Sequence, residues 1–250
     1  MIQTAEVSFA EWVDGLMFTN AVQLLHGCRA LHHTCAIVHG LGIASRTEIF
    51  ERFRSWMDDL PGTELGRMWR MGREKVDEIY STLSWPGHLI EAALVTMRAE
   101  FDETLRDFVA ANPDIFGGPH ADLIAAAVDV DILTRPHVYA NLPVEPPARL
   151  DSVRILEDRR RGWLVHSPYD VCGESARLTA EADGPVTAQP PRDTLIAIDH
   201  DRGQTYRMPR RIQKEYWDEC RMFAIEMGNH YPTWTVVDRQ DAAVPQPVAR

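Results

Sequence analysis

Cysteine is scarce: the chain of 250 residues holds four, none of them in a Cys-x-x-Cys pair or a recognisable disulfide spacing. The thiols are therefore expected to be reduced, as in a cytoplasmic protein. Long apolar runs are missing too. None approaches the roughly 18 residues needed to cross a bilayer, and positions 1–10 lack the basic-then-apolar pattern of a secretory leader. The expectation is a soluble protein with no membrane partner. Positive charge is in deficit, with a formal net charge of -11. An acidic surface repels a phosphate backbone, so no nucleic-acid partner is expected. The short clusters Arg159-Arg160-Arg161 and Arg207…Arg210-Arg211 sit among acidic neighbours and read as solvated turns. The common catalytic signatures are also missing. There is no Gly-rich phosphate loop, no His-Glu-x-x-His, no Gly-x-Ser-x-Gly and no paired Glu-x-x-His of a di-iron bundle.

What is present begins with helices. Ser8-Phe9-Ala10-Glu11 has the form of a capping box. Apolar residues then recur with a 3.6-residue period from Phe9 through Trp12, Leu16, Leu24, Cys28, Leu31 and Cys35 to Val38, which predicts one long rod ended by Gly40 and Gly42. A second box, Ser45-Arg46-Thr47-Glu48, opens a helix that buries Ile49, Phe50, Phe53, Trp56 and Met57 and stops at Pro61-Gly62. A third helix is expected over about 64–83, weakened by Gly66 and Gly72. Ser84-Trp85-Pro86 starts a fourth, carrying Leu89 to Phe108 and ending at Asn112-Pro113. A fifth fits 122–133.

The pattern changes at Arg135-Pro136, where prolines crowd the chain and helical periodicity stops. Residues 153–156 and 162–165 predict a β-hairpin, and 184–191 a loop. A second hairpin is expected between 195–198 and 205–208, then a helix over 211–227. The fold class is α+β, with a helical bundle over 1–134, a small α+β portion with β-hairpins and a C-terminal helix over 135–237, and a disordered tail over 238–250.

Two groups of residues carry potential chemistry. Cys28, His32, Cys35 and His39 recur at spacings of four, three and four, which places them on one face of the expected rod. Neighbours one turn apart could share a metal ion or haem, with His88 or Glu91 from another helix completing the ligand set. The same row also reads as core packing, because cysteine behaves as a small apolar residue. His26 and His33 fall on a different face and are expected to be partly exposed. In the second group, Arg135, His137 and Tyr139 lie on a proline-stiffened segment. Arg135 could grip a carboxylate or phosphate of a substrate or partner. Alternatively it pairs with Asp129 or Asp131 while Val138 and Tyr139 pack on the helices. Asp199-His200-Asp201-Arg202-Gly203 reads as a turn, and Cys172 is a thiol with no evident base.

Several stretches taken together resemble a known family. Phe9-Ala10-Glu11-Trp12 leading to Leu24-Leu25-His26, then Gly42-Ile43-Ala44 and Glu48-Ile49-Phe50-Glu51-Arg52-Phe53, resembles the C-terminal helical region of cobalamin-binding radical S-adenosylmethionine proteins. Asp131-Ile132-Leu133-Thr134-Arg135-Pro136-His137-Val138-Tyr139 resembles the extended segment that follows in some members. The likeness covers roughly a third of the chain. The family's Cys-x-x-x-Cys-x-x-Cys and its cobalamin-ligating Asp-x-His-x-x-Gly are both missing. The resemblance therefore implies an accessory or substrate-binding subunit that works with a separate radical S-adenosylmethionine-type catalytic partner, carries no cofactor and is not catalytic alone. The alternative is a free-standing helical enzyme using a metal ion or haem at the Cys28/His32/Cys35/His39 face.

Overall fold

The computed structural model describes residues 7–60, 62–76, 89–90, 92–135, 145–159, 162–181, 186–199 and 233–237. Helix α1 (Phe9–Val22) opens with the predicted capping box. The Ser8 hydroxyl accepts from the Glu11 amide at 3.3 Å, and the Glu11 carboxylate accepts from the Ser8 amide at 2.7 Å. The rod does not run on to Gly40. It widens into a π turn at Gln23–Gly27, Arg29 takes a positive φ of 55°, and a separate helix α2 (His32–Gly40) begins afterwards. The single helix expected over this stretch is thus two rods with a break at 28–31. The apolar period passes through the break unchanged, and its one local mark is Gly27, the last residue of the π turn. Gly42 then turns the chain at φ 69°, with the Ile43 amide donating to the Val38 carbonyl at 3.1 Å.

Helix α3 (Arg46–Asp59) has half of its predicted box. Ser45 accepts from the Glu48 amide at 3.1 Å, while the Glu48 carboxylate lies toward Arg52, 3.9 Å away. Helix α4 (Glu64–Glu74) is capped by Thr63. Its Gly66 is required by a close approach, since a Cβ there would stand 2.6 Å from the Leu60 carbonyl oxygen. The expected continuation past 76 and the start signal at 84–86 lie outside the described residues. The next helical run is interrupted by a π turn at Ala92–Thr96. It resumes as α5 (Arg98–Ala111), followed by the short α6 (Pro113–Phe116). Phe53, Phe108 and Phe116 meet edge to face, with ring centroids 5.2 and 5.4 Å apart, which locks α3 against α5 and α6.

Helix α7 (Ala121–Thr134) lies at the centre. Eleven of its 14 residues are buried, as expected of a helix that is apolar on nearly every side. Its two buried aspartates hold its neighbours. Asp129 accepts from Arg106 and from the amides of Asp151, Ser152 and Val153, which fixes the entry to the sheet. Asp131 reaches α2.

The predicted first hairpin is present as antiparallel β1 (Arg154–Arg159) and β2 (Gly162–Ser167). Between β2 and the third strand lies α8 (Val171–Ala180), a helix that the sequence analysis did not anticipate. Strand β3 (Thr194–Asp199) pairs with β2 on one edge and with β4 (Thr233–Val237) on the other, giving the antiparallel order β1-β2-β3-β4. Both edges of β3 are thus taken, so the hairpin expected between 195–198 and 205–208 is replaced by pairing with β4; residues 205–208, the helix at 211–227 and the tail from 238 lie outside the described residues. The architecture is α+β. Trp163, Val165, Val171, Leu178, Ile196 and Ile198 belong to the same apolar core as the helices before Arg135. Among the described residues no helix is long and apolar enough to cross a membrane.

Candidate functional site

Three elements that are distant in sequence meet around α2. The helix has no cap of its own, because Leu31 stands at the N-cap position and offers no side-chain acceptor. Asp131 of α7 supplies it. Its carboxylate accepts from the His33 amide at 2.8 Å, the Thr34 amide at 2.9 Å and the Thr34 hydroxyl at 2.8 Å. Burial pushes this carboxyl up to about 7, against the opposing pull of those hydrogen bonds.

Helix α8 packs on the other side. The His33 ring is 2.7 Å from the Ser175 hydroxyl through Nδ1 and 4.0 Å from the Cys172 thiol through Nε2. The Ser175 hydroxyl also lies 3.1 Å from the Cys172 carbonyl oxygen. One hydroxyl proton cannot serve both bonds. The consistent assignment has Nδ1–H donating to Ser175 and the hydroxyl donating to the carbonyl, which leaves the Nε2 lone pair toward the thiol. That is the geometry of a cysteine–histidine nucleophile pair. The electrostatics work against activation. Burial, with His32 and Arg29 nearby, holds the His33 imidazole down to about 3, and burial pushes the Cys172 thiol up to about 12. At neutral pH both groups are uncharged, and the contact is packing between neutral partners.

The far end of α2 is open. A groove of about 520 Å³ lies where the C-terminal ends of α2 and α8 diverge. Ala36, His39, Gly40, Leu41 and Gly42 form one wall, Leu178, Thr179 and Glu181 another, and Arg46, Val186 and Thr187 close it. The helices touch at its floor, where a Cβ on Gly40 would stand 2.5 Å from that of Leu178. This size falls within the range of small-molecule sites.

The predicted residues are distributed differently from the expectation. Cys28 is buried in the break, and Cys35 is buried on α2, its thiol pushed up by burial and by Asp131. His32 is half-buried at the start of α2, and burial with Arg29, His26 and Arg46 pushes it down to about 4. His39 is exposed at the groove. The break at 28–31 therefore divides the row expected on one rod. Among the described residues no three His, Cys, Asp or Glu side chains come together as a metal-ion site. His26 is exposed as expected, whereas His33 is buried because α8 covers that side of α2. Arg135 is fully buried, ion-paired with Asp102 and 5.2 Å above the Phe101 ring. It pairs with neither Asp129 nor Asp131, since both are engaged elsewhere. His137, Tyr139, His88, Glu91 and 200–203 lie outside the described residues.

Sequence reasoning missed Asp131 as a cap, and His33 and Ser175 as partners of Cys172. Only the first left a signal: a helix beginning after Leu31 needs an acceptor from elsewhere, and an aspartate flanked by apolar residues on a buried helix can provide one. Comparisons of the chain with protein-family models, with curated proteins and with solved structures found no match.

Proposed function

We propose that the protein is an accessory, small-molecule-binding subunit that acts with a separate catalytic protein of the radical S-adenosylmethionine type and is not catalytic alone. The observation that carries the binding role is the groove between the ends of α2 and α8. It has the volume of a metabolite-sized site, mixed apolar and charged walls, and a floor set by the Gly40–Leu178 contact. The neutral thiol–imidazole pair, with its imidazole buried, favours a binding role over nucleophilic catalysis at the opposite end of α2. The class of the catalytic partner rests on the resemblance carried by residues 9–53 and 131–139.

The test has two parts. Ligand-observed NMR of the full chain with small aromatic fragments should show binding, and Thr179→Trp, which fills the groove from an exposed position, should abolish it. Co-expression with a radical S-adenosylmethionine enzyme encoded beside it should give a complex whose turnover requires both chains. Turnover by either chain alone would overturn the accessory assignment, and binding untouched by Thr179→Trp would overturn the groove.

A further inference from the structure

The charges around the groove point to a class of ligand. The chain as a whole carries -11, yet a guanidinium, that of Arg46, stands in the groove wall. Arg29, His26 and Arg46 all act on His32, and Arg46 and His39 line the groove itself. The nearby carboxylates are engaged. Glu181 accepts from Arg177 at 2.7 Å, Glu48 lies toward Arg52, and Asp131 is buried beneath the N-terminus of α2. Arg46 differs from the paired arginines of the structure. It forms no ion pair among the described residues, and its Nε is buried without an acceptor. A half-buried guanidinium without a counter-ion among the described residues can pair with an incoming anion. Arg46 is also the first residue of α3, so the helix end adds potential of the same sign. The remaining walls at Leu41, Leu178 and Val186 are apolar.

We infer that the groove binds a small organic anion, a carboxylate or phosphate on an apolar body, with the anionic group on Arg46 and the body against Leu178 and Val186. This rests on the groove being the binding site proposed above. Arg46 selects for charge, and the apolar walls select for a hydrocarbon portion over inorganic anions.

The experiment is calorimetric titration of the full chain with benzoate, phenyl phosphate and the neutral isostere benzamide, repeated with Arg46→Gln and with Thr179→Trp. Benzoate or phenyl phosphate should bind at least about tenfold more tightly than benzamide, and the tighter of the two identifies the head group. Arg46→Gln should remove that preference while leaving the circular dichroism spectrum unchanged, and Thr179→Trp should remove binding of all three. If benzamide matches the anions and Arg46→Gln changes nothing, the anion assignment is overturned and the groove remains. If Thr179→Trp leaves all binding intact, the groove itself is overturned.

Discussion

The two ends of α2 are built on opposite terms. At the N-terminal end the polar groups of His33 and Thr34 are buried and answered. The amides of His33 and Thr34 and the Thr34 hydroxyl go to Asp131, and the His33 ring goes to Ser175. At the C-terminal end His39 faces solvent, Arg46 has no counter-ion among the described residues, and the helices part around a groove. Satisfied buried polar groups specify which helix packs where. An unanswered charge beside an open cavity has no such structural use, and it marks where something else binds. In the reading proposed above, the conspicuous cluster of nucleophile and base at the buried end is scaffold, and the plainer end is the site.

The largest effect expected from breaking the contrast is at Asp131. Asp131→Ala leaves two amides and a hydroxyl buried without an acceptor and uncaps α2, at a cost of about 4 kcal/mol. Urea unfolding followed by circular dichroism measures it. A loss below about 1 kcal/mol would mean that the network is not what holds α2. Asp131→Asn keeps one oxygen acceptor and should cost about half as much.

The same carboxylate should govern the response to acid. Burial raises Asp131 from 3.8 to about 7 in the folded state, so between about pH 4 and 7 the native protein holds a proton that the unfolded chain releases, and acidification favours folding. His33 acts in reverse. Its folded value is lowered from 6.5 to about 3, so across most of that window the unfolded chain takes a proton that the native state refuses, and acidification favours unfolding. His32, lowered from 6.5 to about 4, adds to the side of His33, so Asp131 offsets only part of the loss in the natural protein. Asp131→Asn removes one side of the balance. Its stability should fall on acidification from pH 6.5 to 4 more steeply than that of the natural protein, by up to about 1.4 kcal/mol per pH unit. Parallel slopes in denaturation series at several pH values would show that the buried carboxyl does not carry that proton.

How far the residues alone could lead is clearest at this helix. Capping serines and a 3.6-residue period located the start of α1 and the whole of α3 closely, because both are local signals, and the run at 122–133 located α7. Turn chemistry located the β1–β2 hairpin for the same reason. The break at 28–31 left only Gly27 as a local mark: an arginine takes the positive φ, and the cap arrives from 98 residues away in sequence, measured from His33 to Asp131. Helix α8 was readable in principle. Asp170 caps it through the Gly173 amide at 3.0 Å, and a Cβ at Gly173 would meet the Asp170 carboxylate, so this glycine serves the cap. The groove was not readable, because its walls come from residues 36–46 and 178–187 and only tertiary packing joins them.

A smaller effect is expected at the seam between the two ends. Gly40→Ala puts a methyl 2.5 Å from the Leu178 Cβ, so α2 and α8 must move apart where they are closest. The cost should be about 2 kcal/mol by thermal or urea unfolding. The groove should distort with it, so fragment affinity should fall. Unchanged stability would mean that the helices separate freely at this point, and the groove floor would then not be a fixed feature.

The smallest effect on folding is expected at Arg46, and that is what makes it informative. An arginine that stabilised the fold through an ion pair would cost stability when neutralised, as truncating Arg106 should, since Asp129 would lose a buried partner. Arg46 has no such partner among the described residues. Arg46→Gln removes a half-buried charge and keeps much of the apolar stem, so stability should stay within about 0.5 kcal/mol of the natural protein or rise slightly. A loss of about 2 kcal/mol would place Arg46 with the scaffold, and the distinction between the two ends of α2 would fail. Neutral stability together with lost anion binding separates the two roles, because a residue kept for packing cannot show the second without the first.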